Sequence, residues 1–156
     1  MSNYRSISKF GVIENNSNIS AEMKASVPDI KDYEHKEYII NNNKSLCIYT
    51  HAIWCGPCKH FSDKYTELCF KYNGQCLLVK EDADLQIKSY INSPQIRGVP
   101  SFSFYSNGEH VETFSGADAN RIENKIMELI HNNGFNSNSN SNSNSNSNSN
   151  SNSIIY

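Results

Sequence analysis

A chain of 156 residues that sets 14 lysines and arginines against 16 aspartates and glutamates carries a formal charge of −2. With both signs scattered and no long block of either, it lacks the basic footprint of a nucleic-acid binder and the polybasic face of a membrane-docking protein, so neither partner is expected. The length suits one domain with a modest core and leaves no room for a second catalytic unit. No stretch approaches the roughly 18 apolar residues of a membrane span, and residues 1–6 lead into no apolar signal sequence.

Residues 1–24 are polar and rich in Ser and Asn, with Ile7, Phe10, Val12 and Ile13 in no sustained period. They read as an N-terminal extension with scope for one docked strand. Residues 25–30 suit an edge strand, because Pro28 lacks the N–H that a central strand must supply, and Asp32 then caps a helix running to the Asn41-Asn42-Asn43 cluster. Leu46-Cys47-Ile48-Tyr49-Thr50 is short, apolar and β-favouring, as a strand covered on both faces is. Beyond Pro57, the residues Phe61, Tyr65, Leu68, Cys69 and Tyr72 recur at three- and four-residue spacing, which predicts an amphipathic helix closed by Asn73-Gly74. Residues 75–80, holding Cys76-Leu77-Leu78-Val79, predict a second buried strand, and residues 84–91 a short helix stopped before Pro94. Residues 101–105 and 110–114 flank Asn107-Gly108, a pair suited to a tight hairpin turn with positive φ. Asp118 opens a last helix with Ile122, Ile126, Leu129 and Ile130 on one stripe, closed by Asn132-Asn133-Gly134.

This order predicts an α/β domain over residues 25–135: a mixed central sheet, parallel where a helix crosses over and antiparallel at the hairpin, flanked by helices on both faces. From Asn136 an Asn-Ser alternation runs to Ser153, ahead of Ile154-Ile155-Tyr156. Such a low-complexity segment buries too little area to offset chain entropy, so residues 136–156 are expected to be a disordered tail.

Five cysteines, Cys47, Cys55, Cys58, Cys69 and Cys76, are an odd number in a chain for which no apolar leader is expected. That argues against a paired structural framework and for a reducing, cytoplasmic setting in which any disulfide is transient and catalytic. Cys55 and Cys58 stand in Trp54-Cys55-Gly56-Pro57-Cys58-Lys59, at the junction of a predicted strand and a predicted helix. The first helical turn brings both thiols to one side. There the unpaired N–H groups and the positive end of the helix dipole favour a Cys55 thiolate, which is the attacking species in disulfide exchange. Pro57 falls where a first-turn proline is tolerated. Cys58 is then the resolving thiol. The same spacing is half of a zinc site, with His51, His60 or Cys69 as further ligands, but no second spaced pair exists. Two buried inert cysteines are the other alternative. Cys47, Cys69 and Cys76 fall on apolar faces and read as core fillers. Trp54 either fills the core or shields the site from the surface.

Over residues 25–133 the chain resembles thioredoxin. The six-residue run around the cysteines matches that family's active-site signature throughout, and Arg97-Gly98-Val99-Pro100-Ser101-Phe102 resembles its cis-proline segment. The resemblance implies a thioredoxin-like fold, a cis Pro100 beside the disulfide, and a Val99 backbone that pairs with an extended substrate. It also implies that Gly56 and Pro57 tune the pair, and it places Lys80, Gly108 and Gly116 in register with a charged residue, a hairpin glycine and a glycine near the active surface. Two positions depart from the family: Tyr49 stands where a buried aspartate usually helps move the resolving cysteine's proton, and Asp63 replaces the proline that commonly kinks the active-site helix.

The expected function is reduction of protein disulfides through a reversible Cys55–Cys58 dithiol, by a monomer with no bound cofactor and no metal. An external reductant such as a thioredoxin reductase resets the pair. A protein disulfide oxidase or isomerase, or a non-catalytic binding module of the same fold, are the alternatives. The Asn-Ser tail resembles repeats in the Asn-rich proteomes of some protists and large DNA viruses, which makes a virion the alternative location.

Overall fold

The computed structural model describes residues 19–85, 96 and 98–134. The element order is α1 (Ala21–Ser26), α2 (Tyr33–Asn41), β1 (Ser45–His51), α3 (Gly56–Lys71), β2 (Leu77–Asp82), a 3-10 turn (Ala83–Leu85), β3 (Ser101–Ser106), β4 (Glu109–Ser115) and α4 (Ala119–Asn132). Most of the extension, the bulk of the helix expected over 84–91, Arg97 and the Asn-Ser tail lie outside the described residues.

Among the described residues the sheet has four strands in the order β2-β1-β3-β4. β1 pairs in parallel with β2, antiparallel with β3, and β3 antiparallel with β4. The mixed sheet follows from its connections: a helix separates β1 from β2, whereas only Asn107 and Gly108 separate β3 from β4. Both turn residues have positive φ, 52° and 84°, the combination a two-residue hairpin of matching twist requires.

β1 is buried along almost its full length, and its side chains alternate between two cores. Leu46 and Ile48 join Leu77, Val79 and Tyr105 beneath α2, which supplies Ile39 and Ile40. Cys47 and Tyr49 join Leu78, Phe102 and Phe104 beneath α3 and α4. The predicted stripes Phe61-Tyr65-Leu68-Cys69-Tyr72 and Ile122-Ile126-Leu129-Ile130 are all buried there, so helices cover both faces.

The edge strand expected over 25–30 is a correction. Ser20 caps α1 by accepting from the Met23 N–H, and Met23 and Val27 are buried against the α3 core. Helix therefore occupies 21–26, across the boundary drawn at residue 24. What remains of the strand is one parallel bridge, Asp29 to Lys80, in which the Ile30 N–H donates to Lys80 and the Lys80 N–H to the Pro28 carbonyl, both at 2.9 Å. Proline accepts there and is not asked to donate, as an edge position allows. β2 also begins two residues later than expected: the Gln75 and Cys76 N–H groups both bond Tyr72 O in a turn through Gly74 at φ 90°.

Two polar links tie the layers. Lys36 of α2 and Glu81 of β2 form a buried ion pair at 3.1 Å. Asp63 of α3, in place of the kinking proline, holds Lys24 of α1 at 3.1 Å on the surface.

Candidate functional site

Sheet register brings the site together. Thr50 pairs with Ser101, and Ser101 with Ser115, so the segment after β1, the one before β3 and the one after β4 emerge at the same end of the sheet. Those segments carry Cys55, Pro100 and Gly116.

Cys55 is the N-cap of α3 (φ −88°, ψ 111°), and Pro57 sits in the first turn. The Cys55 Sγ accepts from the Cys58 N–H at 3.2 Å, the bond a capping oxygen would make, and the Lys59 N–H donates to Cys55 O. The two cysteines form a disulfide across a Cα separation of 5.3 Å. When the disulfide opens, that Cys58 N–H and the helix dipole both stabilise negative charge on Cys55 Sγ. Each cysteine is only 4% exposed in the disulfide form. Position at the helix start, not exposure, distinguishes them.

Trp54 is exposed, and its indole N–H donates to both carboxylate oxygens of Asp84, at 3.0 and 3.2 Å. It lies at the surface beside the cysteines and does not fill the core. The Val99–Pro100 bond is cis. Pro100 is buried, while Val99 is partly buried on the hydrophobic cluster that holds both cysteines. The Gly116 N–H donates to Pro100 O at 2.9 Å. Gly116 itself has φ 100°, a backbone conformation that disfavours any side chain. Ser101 Oγ donates to Gly98 O at 2.5 Å and meets Ser115 Oγ at 3.2 Å, closing the loop before β3. Gly56 has nothing within 4 Å of where a Cβ would stand, so it is not there to avoid a clash. Gly108 belongs to the hairpin turn at the other end of the sheet, away from the cysteines.

A pocket of about 270 Å³ beside Cys58 is lined by Tyr49, His51, Lys59, Ser62 and Lys80 among others. Tyr49, paired in register with Lys80, is 3% exposed and stacks on Phe102 at 4.9 Å. Its hydroxyl donates to Cys58 O at 3.0 Å, and burial pushes its pKa up to about 12. Lys80 stands 4.0 Å from Asp29. His51 is held below its ordinary value by burial, with Asp29 and Asp82 opposing that and Lys80 reinforcing it; its Nε2 is buried with no hydrogen-bond partner among the described residues.

The other cysteines stay apart. Cys47, Cys69 and Cys76 are buried free thiols, and burial raises the pKa of each, Cys69 to about 12. Cys69 Sγ donates to Leu78 O. Among the described residues no three His, Cys, Asp or Glu side chains are grouped to hold a metal. The residue that sequence reasoning missed is Asp84: no local pattern announces that it will meet an indole 30 positions away.

The arrangement is that of a chain able to exchange its disulfide with another. The family profile for thioredoxin matches residues 26–128. Chicken thioredoxin is 32% identical over 108 residues, covering 69% of this chain and all of that protein. Thioredoxin-1 of Drosophila melanogaster is 29% identical over 106 residues, 68% of this chain and 97% of its own length. Among solved structures, oxidised mitochondrial thioredoxin 3 of Saccharomyces cerevisiae superposes with a TM-score of 0.59 at 25% identity, covering 68% of this chain and 98% of the other. Schistosoma mansoni thioredoxin gives 0.55 at 29%, covering 65% and 94%. A paired Cys55–Cys58 at a helix start, a mixed sheet that delivers a cis proline to the same end, and these likenesses place the chain in the thioredoxin family, as a thiol–disulfide oxidoreductase.

Proposed function

We propose that the chain is a protein-disulfide reductase, with Cys55 as nucleophile and Cys58 as resolving thiol. The observation that carries this reading is the Cys58 N–H donated to Cys55 Sγ at the N-cap of α3, which stabilises a thiolate on Cys55 alone. The Cys55 thiolate attacks one sulfur of a substrate disulfide and expels the other as a thiolate, leaving a mixed disulfide. Cys58, as thiolate, attacks Cys55 Sγ; the Cys55–substrate bond breaks, its electron pair leaves on the substrate sulfur, and Cys55–Cys58 is re-formed. The substrate gains two electrons and the protein loses them. An external reductant such as a thioredoxin reductase returns them, so the protein needs no bound cofactor. Trp54, Val99, Pro100 and Gly116 form the surface on which a substrate segment lies, and Gly56, Pro57 and Lys80 tune the pair. A monomer in the cytoplasm suits this cycle, with a virion as the alternative location.

The equilibrium potential of the pair tests the direction of the reaction. A reductase is expected near −270 mV, whereas values near about −180 or −120 mV are those of an isomerase or an oxidase and would reverse the reading. Cys58→Ser should hold its substrates as mixed disulfides on Cys55. If Cys55→Ser retains every effect of the native protein, the fold serves as a binding module and turnover is incidental.

A further inference from the structure

The resolving step needs a base. Cys58 is buried, and burial in apolar surroundings disfavours a thiolate, so its proton must pass to an acceptor before it can attack. Tyr49 is nearest in kind to the family's acid at that place, but its phenol is a donor, already committed to Cys58 O, and at neutral pH it has no lone pair of useful basicity. Lys59 and Lys80, the cationic groups on the pocket wall, carry no acceptor when charged.

His51 is different. It lies two residues beyond Tyr49 on β1, hence on the same face of the strand, and the two rings sit 5.5 Å apart. It lines the same pocket as Cys58. A buried polar atom without a partner is uncommon and calls for an explanation. The neutral ring that leaves Nε2 as a bare lone pair, with the proton on Nδ1, strands an acceptor in place of a donor. In the disulfide state Cys58 has no hydrogen to give. Once substrate is attached to Cys55, Cys58, which lines that pocket, carries an S–H group, so a donor arises only in the state that requires a base.

We propose that His51 is the proton acceptor of the resolving step, its Nε2, unpartnered among the described residues, taking the Cys58 proton through the pocket the two residues share. This rests on the reductase reading above. The balance is simple: the thiol proton moves from Cys58 to His51, Cys58 thiolate displaces the substrate thiolate from Cys55, and the imidazolium returns the proton to that leaving thiolate or to solvent. Burial keeps the ring neutral at working pH. Burial and Lys80 hold it below the ordinary histidine value against Asp29 and Asp82, while Tyr49 and Cys58 face it uncharged and Lys59 adds a like charge across the pocket. A neutral imidazole is the form that accepts a proton.

The test follows the mixed disulfide between Cys55 and a chromogenic thiol such as thionitrobenzoate in the full-length protein, formed by mixing reduced protein with the corresponding aryl disulfide. In His51→Gln we expect the mixed disulfide to form as before and to decay about 100-fold more slowly at pH 7, the lower end of what a positioned base contributes. The native decay rate should rise through an inflection below pH 6.5, at the pH where NMR shows the His51 ring titrating, and that inflection should vanish in the variant. Unchanged decay in a folded His51→Gln would overturn the inference. So would a native profile without an inflection at the His51 titration, a measurement that needs no variant. Failure of the native protein to form any mixed disulfide would instead overturn the reductase reading and the inference with it.

Discussion

Tyr49→Phe separates the two aromatic neighbours of Cys58. The substitution keeps the ring that stacks on Phe102 at 4.9 Å and packs against Tyr65 at 4.6 Å, and removes only the hydroxyl that donates to Cys58 O at 3.0 Å. One neutral hydrogen bond is worth about 1 kcal/mol net, which for a domain of this size is a fall in melting temperature of about 4–8 °C. The kinetic consequence runs the other way. With its pKa pushed up to about 12, the phenol is ionised to the extent of roughly 10⁻⁵ at pH 7, too little to act as base. Decay of the mixed disulfide on Cys55, followed by stopped-flow absorbance, should therefore stay within about 2-fold of the native rate, against the far larger loss a positioned base would cause. Tyr49→Asp is the harsher counterpart: it surrenders the aromatic packing, about 3–5 kcal/mol for so large a truncation in a core. If it folds, it should decay faster as the new carboxyl ionises. A decay slowed tenfold or more in a folded Tyr49→Phe would refute this reasoning and return the proton to the phenol.

Three further outcomes are expected. Lys36→Met strands Glu81, whose side chain is 7% exposed, and should cost about 3–5 kcal/mol in urea melts at pH 7. Burial already raises the Glu81 pKa against the opposing charge of Lys36, so a native carboxyl that binds its proton more tightly than the unfolded one loses stability as pH rises. The variant should accordingly recover part of its deficit near pH 5, and an equal deficit at pH 5 and 8 would contradict the pairing. Alkylation of the reduced protein at pH 7, read by peptide mass, should mark Cys55 first and Cys47, Cys69 and Cys76 only on unfolding; early label on Cys69 would reverse the assignment. Asp84→Ala should leave stability within about 0.5 kcal/mol, as surface changes do, yet lower the fluorescence anisotropy of the single tryptophan, Trp54, by freeing its indole; unchanged anisotropy would show that Asp84 does not hold it.

Much of this architecture was legible because its signals are local and periodic. The Asn107-Gly108 turn, the apolar run at 46–50 and the two helical stripes each have one physical solution, and each is where it was expected. The active pair was legible for the same reason: strand, two cysteines and a first-turn proline are contiguous in sequence. The misreading at 25–30 arose from a long-range competition. Pro28 correctly placed the segment at an edge, but the Ser20 cap and the burial of Met23 against α3 turn its first two residues into helix, and nothing within those few residues announces α3. Asp84 was missed as a site residue, and His51 was named only as a possible zinc ligand, for a similar cause. Each gains its meaning from groups on other elements: Cys58 of α3 and Lys80 of β2 in one case, Trp54 beyond the end of β1 in the other.

Five thiols on one redox protein raise a question of selectivity, since any free thiolate within reach could capture the mixed disulfide and divert it. The structure answers by burial and by separation. Cys69, with its pKa pushed up to about 12, is ionised to roughly 10⁻⁵ at pH 7, and Cys47 and Cys76 are driven the same way by desolvation. These three also lie early in β1, near the end of α3 and just before β2, while the reacting pair occupies the end of the sheet to which β1 delivers it. Exchange needs a thiolate and access to a sulfur at once. Cys47, Cys69 and Cys76 have neither, and can therefore fill the core as small apolar groups without competing. Burial disfavours a Cys58 thiolate in the same sense, and because the proposed cycle requires Cys58 to react without a helix-cap position of its own, the proposed base at His51 answers that demand.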